Sequence, residues 1–533
     1  MCDQPLRYGW SIGTLAIAAA LLGCGGSGGV PPAEPTPEVV AKNGPAQPSA
    51  TDAPAETPAP GEAPAAVAIE LPSPFADWGK PAVVLFLTGE QRGYIEPCGC
   101  TGLENQKGGL ARRHTLLRQL SDDKGWAVVP LDVGSQVRRY GGQAEIKFQR
   151  TADALRTMGY QSVVLGSDDL RLPAGSLYGA THVDDKPSIF GSANVALFDP
   201  TAQPPFQVIE AGGKKIGTIG VLGDSFEQKL QGDELVHVPA AEGLKKAAAE
   251  LKAQACDYHV LLAHSTVEEA KELARQTPLL DLVVCSGGGL PSSEFEAIEG
   301  SQAKLLKIGH KAMHVGVVGL FGTEADTVRY QSVALDAKLA DSPEMLRLLA
   351  DYQKQLQATP WEELGLKPQP HASGNRYVGS ATCGDCHTKA MAIWSETPHA
   401  HATDSLVHPP NNRGDIPRHY DPECLSCHVT GWEPQKFYPF ESGYLSLEKT
   451  PQLQHNGCEN CHGPGSAHVA AENGEGSPTD ETIAKLRDSM KLPIAGGVAE
   501  NKCRECHDED NSPDFSHRGF AAYWKEVEHI GKD

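Results

Sequence analysis

Four Cys-x-x-Cys-His pentapeptides occupy the last third of this 533-residue chain. They are Cys383-Gly384-Asp385-Cys386-His387, Cys424-Leu425-Ser426-Cys427-His428, Cys458-Glu459-Asn460-Cys461-His462 and Cys503-Arg504-Glu505-Cys506-His507. Two thiols one turn apart can bond both vinyl groups on one porphyrin edge, and the next residue brings an imidazole to the iron. Paired zinc knuckles are the other reading, but they seldom set His directly after every Cys-x-x-Cys pair. The spacing therefore predicts four covalent c-type haems, attached through Cys383, Cys386, Cys424, Cys427, Cys458, Cys461, Cys503 and Cys506. The proximal iron ligands are expected to be His387, His428, His462 and His507.

The elements that position these groups must be sought in a chain too long for one core, so at least two domains are expected. With 46 basic against 68 acidic residues, the net charge of -22 argues against nucleic-acid binding. It favours a redox partner with a basic face, or a small-molecule electron donor or acceptor. At the N-terminus, Arg7 precedes an apolar stretch that ends at Leu21-Leu22-Gly23-Cys24. This resembles a bacterial lipoprotein signal over residues 1–23, with Cys24 as the lipidated residue and Leu22 as a departure from the pattern. An ordinary cleaved signal or a retained anchor are the other readings, although the apolar run is short for a spanning helix. The lipoprotein reading implies a cell-envelope protein on the periplasmic side, lipid-anchored to a membrane, with the outer membrane preferred. Residues 24–76 are rich in Pro, Ala and Glu and are expected to form a disordered tether.

Residues 77–345 read as an α/β domain. Apolar strand-like runs at 82–87, 126–131, 162–165, 216–222, 258–262 and 280–285 alternate with helical patterns such as 110–120 and 240–251. Beyond Pro291, closely spaced runs at 304–308, 314–321 and 327–335 suggest a meander, and 342–358 a closing helix. The domain resembles the metallophosphatase domain of the 5'-nucleotidase family. Thr88-Gly89-Glu90-Gln91-Arg92-Gly93 stands at its Asp-x-His motif, Asp132-Val133-Gly134-Ser135 at its Asp-x-Gly-Asp and Gly166-Ser167-Asp168-Asp169 at its Gly-Asn-His-Glu. His264 ends a strand like the later family histidine, and Cys285-Ser286-Gly287-Gly288-Gly289 replaces its Gly-His-x-His.

A two-metal hydrolase needs hard carboxylate and imidazole ligands. Here Glu90 stands for Asp, Arg92 for His, Ser135 for the bridging Asp, Ser167 for Asn, Asp168 for His, and Gly287 and Gly289 for the last two His. The reading is a retained fold with no divalent metal expected and no catalytic residue assigned. Glu96-Pro97-Cys98-Gly99-Cys100, with Gly108-Gly109-Leu110-Ala111-Arg112-Arg113 after it, resembles one branch of nucleotidase-like proteins. Cys98 and Cys100 read equally as redox thiols or soft-metal ligands and as a structural disulfide or inert thiols.

Residues 346–371 form a helix and connector, which the sequence leaves open as a hinge or a packed link. Residues 372–533 show little periodicity, as expected where haems fill the core, and the fold predicted is a mostly α/irregular multihaem cytochrome c domain beside the α/β layered sandwich. Tyr377-Val378-Gly379-Ser380, Trp394-Ser395-Glu396-Thr397-Pro398-His399-Ala400 and Cys461-His462-Gly463-Pro464-Gly465 resemble the cytochrome c-554 family. That resemblance implies His399, His468 and His529 as distal iron ligands, with His401, His408, His419, His455 and His517 as alternatives, and allows one haem to lack a sixth ligand. The function expected is membrane-anchored electron transfer. The alternatives are a metal-dependent phosphohydrolase, or a redox enzyme acting at a five-coordinate haem or at Cys98 and Cys100.

Overall fold

The computed structural model describes residues 75–97, 106–183, 187–230, 232, 234–322, 328–409, 415–508 and 511–529. The signal, Cys24, almost all of the tether, and Cys98 and Cys100 lie outside the described residues. The described residues fall within one compact unit, 70–533.

The N-terminal region is built on two mixed sheets. Beside a helix at Ala174–Thr181 and a small strand pair, Val195–Leu197 with Leu235–His237, its elements are β1 (Val83–Thr88), α1 (Leu110–Arg118), β2 (Val128–Asp132), α2 (Gly142–Thr157), β3 (Ser162–Val163), β4 (Gln207–Ala211), β5 (Lys214–Leu222), α3 (Ala240–Lys252), β6 (Tyr258–His264), α4 (Val267–Gln276), β7 (Leu282–Cys285), β8 (Glu296–Ala297), β9 (Lys304–Lys307), β10 (His314–Leu320), β11 (Val328–Ala334) and α5 (Pro343–Ala358). The first sheet has the order β11-β10-β1-β2-β3 and the second β8-β9-β7-β6-β5-β4.

Side chains alternate across a strand, and a run that is apolar throughout suits a strand covered on both faces. In β1, Val83, Leu85 and Leu87 enter a core shared with Ile216, Val260, Leu262, Val284 and Leu306 of the second sheet. Val84 and Phe86 enter the opposite core with Leu116, Leu155, Leu349 and Tyr352 from α1, α2 and α5. The outer face of the second sheet is covered by α3 and α4 through Leu244, Ala247, Leu251 and Leu273. The architecture is thus an α/β/β/α layered sandwich.

The expected meander is corrected. β9 pairs parallel with β7 in the second sheet, whereas β10 and β11 form an antiparallel hairpin in the first, with β10 beside β1. The two faces of the sandwich compete for consecutive strands, and spacing along the chain does not reveal which sheet each one joins.

The C-terminal region is mostly short helices, many of five to eight residues, with one two-residue strand pair, Trp432–Glu433 against Tyr438–Pro439. The connector is packed: Leu364 and Leu366 are buried, Trp361 meets Trp432 edge-on at 5.4 Å, and Gln369 N donates to Pro439 O at 3.0 Å. The core beneath α2 and α5 continues into Leu406, Leu425, Val429, Trp432 and Tyr444. Among the described residues no helix is long and apolar enough to cross a membrane.

Candidate functional site

Each Cys-x-x-Cys-His motif sits on or beside a short helix, and the structure draws the four together. Glu459, buried inside the third motif, accepts from the backbone N–H groups of Val378, Gly379 and Gly465, fastening the approach to the first motif onto the third. Cys458 N donates to Ser380 Oγ at 3.2 Å. Asn456 Nδ2 donates to Cys427 O at 3.0 Å, joining the second motif to the same loop.

Thiols from different motifs adjoin. Cys383 and Cys458 are hydrogen-bonded, which pulls Cys458 down to about 7 and pushes Cys383 well up. Cys427 and Cys506 are likewise bonded, raising Cys506. Cys461, raised to about 12 chiefly by burial, lies near Cys503. Adjoining motifs therefore run in the spatial order first, third, fourth, second.

The imidazoles converge in the same places. The ring centroid of His468 lies 6.4 Å from that of His387, His399 lies 6.0 Å from His507, and His529 lies 5.8 Å from His462. Metal–imidazole bonds of about 2 Å on either side of one ion place two ring centres about 6 Å apart. Each of the three named distal candidates thus faces a different motif histidine. His462 Nδ1 donates to Met490 O and His428 Nδ1 to Ala402 O, both at 2.7 Å. A carbonyl only accepts, so these nitrogens hold the ring proton and Nε2 keeps a lone pair available to a metal. Burial, with His507 and His428 nearby, pulls His399 down to about 4, keeping it neutral and able to ligate. Of the alternatives, His401 and His455 face each other at 6.4 Å and His419 lies on Tyr420 at 4.0 Å.

A cavity of about 1310 Å³ is lined by Cys424, Cys427, His428, Cys503, Cys506 and His507. Part of its wall comes from the N-terminal region, including Arg92, Arg139 and Lys147. Thiol placement, imidazole spacing and cavity together fit covalent haem.

The second constellation lies at the C-terminal ends of the sheet strands. Glu90, Arg92 and Ser135 all take left-handed backbone conformations, with φ of 52°, 53° and 61°. Such strain persists where surrounding structure imposes it. Glu90 N donates to Gly134 O and Arg92 N to Ser135 O, both at 2.8 Å, which keeps the two loops together. Arg92 Nε pairs with Glu90 at 2.6 Å, and His264 Nε2 meets Ser167 Oγ at 3.3 Å. Burial raises Glu90 despite Arg92, and burial pulls His264 down to about 4. Asp132 accepts from Thr88 Oγ1 at 2.6 Å, Gly134 N at 2.8 Å and Gln136 Nε2 at 2.7 Å. Asp169 accepts from the N–H groups of Ser135, Val137 and Gly166.

The structure adds two residues that sequence reading did not single out here. Arg113, fully buried, hydrogen-bonds Gln91 and places Nη1 3.9 Å from Asp132. Lys229 reaches Ser167 at 3.4 Å and Asp168 at 3.6 Å. Arg113 was visible in the Gly-Gly-Leu-Ala-Arg-Arg run, but both arginines are buried and nothing in that run tells that Arg113, rather than Arg112, reaches Asp132.

Residues 382–463 match the family model of cytochrome c554 and c-prime. The match includes the first three motifs; the fourth lies beyond it. Cytochrome c-554 of Nitrosomonas europaea is 28% identical over 158 residues, 26% of this chain and 60% of that protein. An apyrase of Aedes albopictus is 22% identical over 289 residues, 48% of this chain and 51% of that protein. The 5'-nucleotidase precursor from Thermus thermophilus superposes with a TM-score of 0.46 at 18% identity, covering 61% of this chain and 66% of that one. The chain spans between half and two thirds of the length of these relatives. A region similar to cytochrome c554 is thus joined, in one chain, to an α/β region similar to an apyrase and a 5'-nucleotidase precursor.

Proposed function

We propose that this chain is an exported, lipid-anchored tetrahaem c-type cytochrome that carries electrons on the periplasmic side of a membrane. The observation that carries this reading is the facing of His468, His399 and His529 onto three different motif histidines at 5.8–6.4 Å. Eight thiols and four proximal imidazoles would hold the haems, and each haem when bound supplies a one-electron couple. The protein's part is to fix the rings: backbone carbonyls hold the Nδ1 protons of His428 and His462, and burial keeps His399 neutral. The exported location follows from the haem motifs and the signal-like N-terminus together. The partner is read as a redox protein with a basic face or a small electron donor or acceptor.

The nucleotidase-like site is read as one that has lost two-metal hydrolysis. Asp132 is engaged by three hydrogen bonds and faces the Arg113 guanidinium, and Asp169 caps three backbone N–H groups. A buried cation beside the first carboxylate opposes the binding of divalent metal there.

Haem content of the purified protein, measured by pyridine haemochrome assay and intact mass, tests the first reading. Four haems per chain are expected, and fewer would overturn it. Electron paramagnetic resonance of the oxidised protein should show at least three low-spin centres, those of His387, His462 and His507, and fewer would overturn the facing imidazoles as ligands. Nucleotide hydrolysis with added divalent cations should stay at background; metal-dependent turnover would overturn the loss of hydrolysis.

A further inference from the structure

The helix Pro422–His428 carries Cys424, Cys427 and His428, yet its first turn is held almost entirely from the N-terminal region. Glu423 lies between two cations of that region, Lys147 Nζ at 2.6 Å and Arg139 Nη1 at 2.8 Å. Asp421, the N-cap of the helix, accepts from Gln143 Nε2 at 2.7 Å and from Tyr352 OH at 3.0 Å. Tyr352 is 1% and Asp421 5% exposed, and the Lys147 side chain is 7% exposed. Just before the helix, Arg418 Nη2 pairs with Glu96 at 2.6 Å. The Arg139 guanidinium also lies 3.3 Å over the centre of the Phe437 ring.

This contact has a chemical consequence because Glu423 adjoins Cys424, a haem attachment residue. An unpaired carboxylate there would favour the ferric state, which carries one more positive charge than the ferrous. Burial opposes ionisation of Glu423, but Lys147 and Arg139 outweigh it and hold Glu423 below the ordinary carboxylate range. Lys147 is itself held charged against burial by Glu423 and Asp421. Lys147 is shielded from solvent, whereas the Glu423 and Arg139 side chains are 30% and 37% exposed, so salt screens the Arg139 pair more than the Lys147 pair.

We infer that the nucleotidase-like region serves the second motif: Lys147 and Arg139 are positioning residues that hold the Cys424–His428 helix through Glu423 and, by neutralising that carboxylate, raise the reduction potential of the haem attached there. The inference rests on the tetrahaem reading. It gives the α/β region a role that needs neither metal nor hydrolysis.

The test is a spectroelectrochemical titration of the full-length holoprotein and its variants, with haem content measured on the same samples. K147M should lower one of the potentials by about tenfold in its oxidised-to-reduced ratio, about 59 mV for a one-electron couple. K147R should restore the original value, since it keeps the charge, and K147M/E423Q should return most of the shift because the carboxylate is gone. Unchanged potentials in folded K147M, or an equal shift in K147R, would overturn the clamp. If K147M does not accumulate, R139M reads the same quantity at a more exposed position, and an unshifted R139M titration overturns the inference. Fewer than four haems in the unmodified protein would sink the tetrahaem reading instead, so the two failures are distinguishable.

Discussion

The two regions keep their functional side chains in place by opposite means. In the nucleotidase-like region three apolar clusters hold the strands whether or not the site at their ends has ligands: β1 alone buries Val83, Leu85 and Leu87 on one face and Val84 and Phe86 on the other. The loops at Glu90, Arg92 and Ser135 stay in left-handed conformations because the scaffold imposes them. In the cytochrome-like region the helices 388–395 and 480–489 bury no residue of their own, and half-buried motif thiols and imidazoles line a cavity rather than packing against a closed apolar core. A site on an independent scaffold can lose its ligands and leave the fold intact; a site that is the core cannot.

The largest effect should come from breaking that core. On the tetrahaem reading, replacing Cys458 and Cys461 together with Ala should lower haem content from four to three and sharply reduce the accumulation of folded protein. Glu459, between them, fastens Val378 and Gly379 to the third motif. Haem quantification and yield measure it, and normal yield with three haems would break the contrast between the regions.

Next in size is Arg113→Met, which leaves Asp132 buried opposite an apolar side chain. Removing one partner of a buried ion pair costs about 3–5 kcal/mol. The distance of 3.9 Å and the remaining bonds from Thr88, Gly134 and Gln136 place this variant at the lower end. Denaturant titration should show the loss, with the haem absorption spectrum of the folded protein unchanged. A changed spectrum would mean that the two regions are not separable at this site.

A third prediction concerns pH. His264 is fully buried and its folded-state value falls to about 4 from an ordinary 6.5, so the unfolded chain takes up the proton first as pH drops. The contribution is therefore complete above pH 6.5 and is lost as pH falls toward 4, by up to about 3 kcal/mol. In His264→Gln the stability difference between pH 7 and pH 4.5 should shrink. An unaltered acid profile would show that other groups dominate.

The sandwich was legible because its strands are short apolar runs spaced by helical patterns, and the haem motifs because their chemistry is local to five residues. What was not legible depends on pairing across the chain. Lys147 reads as an ordinary charge on α2 until Glu423, 276 residues away, closes on it. Helix α2 itself, Gly142–Thr157, escaped notice because its apolar positions are broken by Lys147 and Thr151, both buried for tertiary reasons. Glu459 lies inside a haem motif, where its neighbours draw attention first. The facing of His399, His468 and His529 on motif histidines could be expected only through resemblance, since eight imidazoles share one stretch and only the folded chain brings them beside the motifs.

The smallest effect gives the finest comparison, because one substitution can be made in both regions. Thr266 caps α4, accepting from Glu269 N at 3.3 Å, and Thr479 caps the helix Asp480–Ser489, accepting from Thr482 N at 3.2 Å. Losing such a cap costs about 1 kcal/mol locally. Helix α4 buries Ala270, Leu273 and Ala274 against the second sheet, so fraying of its first turn loosens a packed layer. Helix 480–489 buries nothing, so its fraying leaves the rest of the molecule unmoved. Thr266→Ala should therefore lower global stability by about 1 kcal/mol, whereas Thr479→Ala should speed amide exchange in its own first turn and leave the unfolding midpoint in place. Equal shifts of the midpoint would show that the exposed helix is coupled to the haem core after all, and that the contrast between an independent scaffold and a ligand-built core is drawn too sharply.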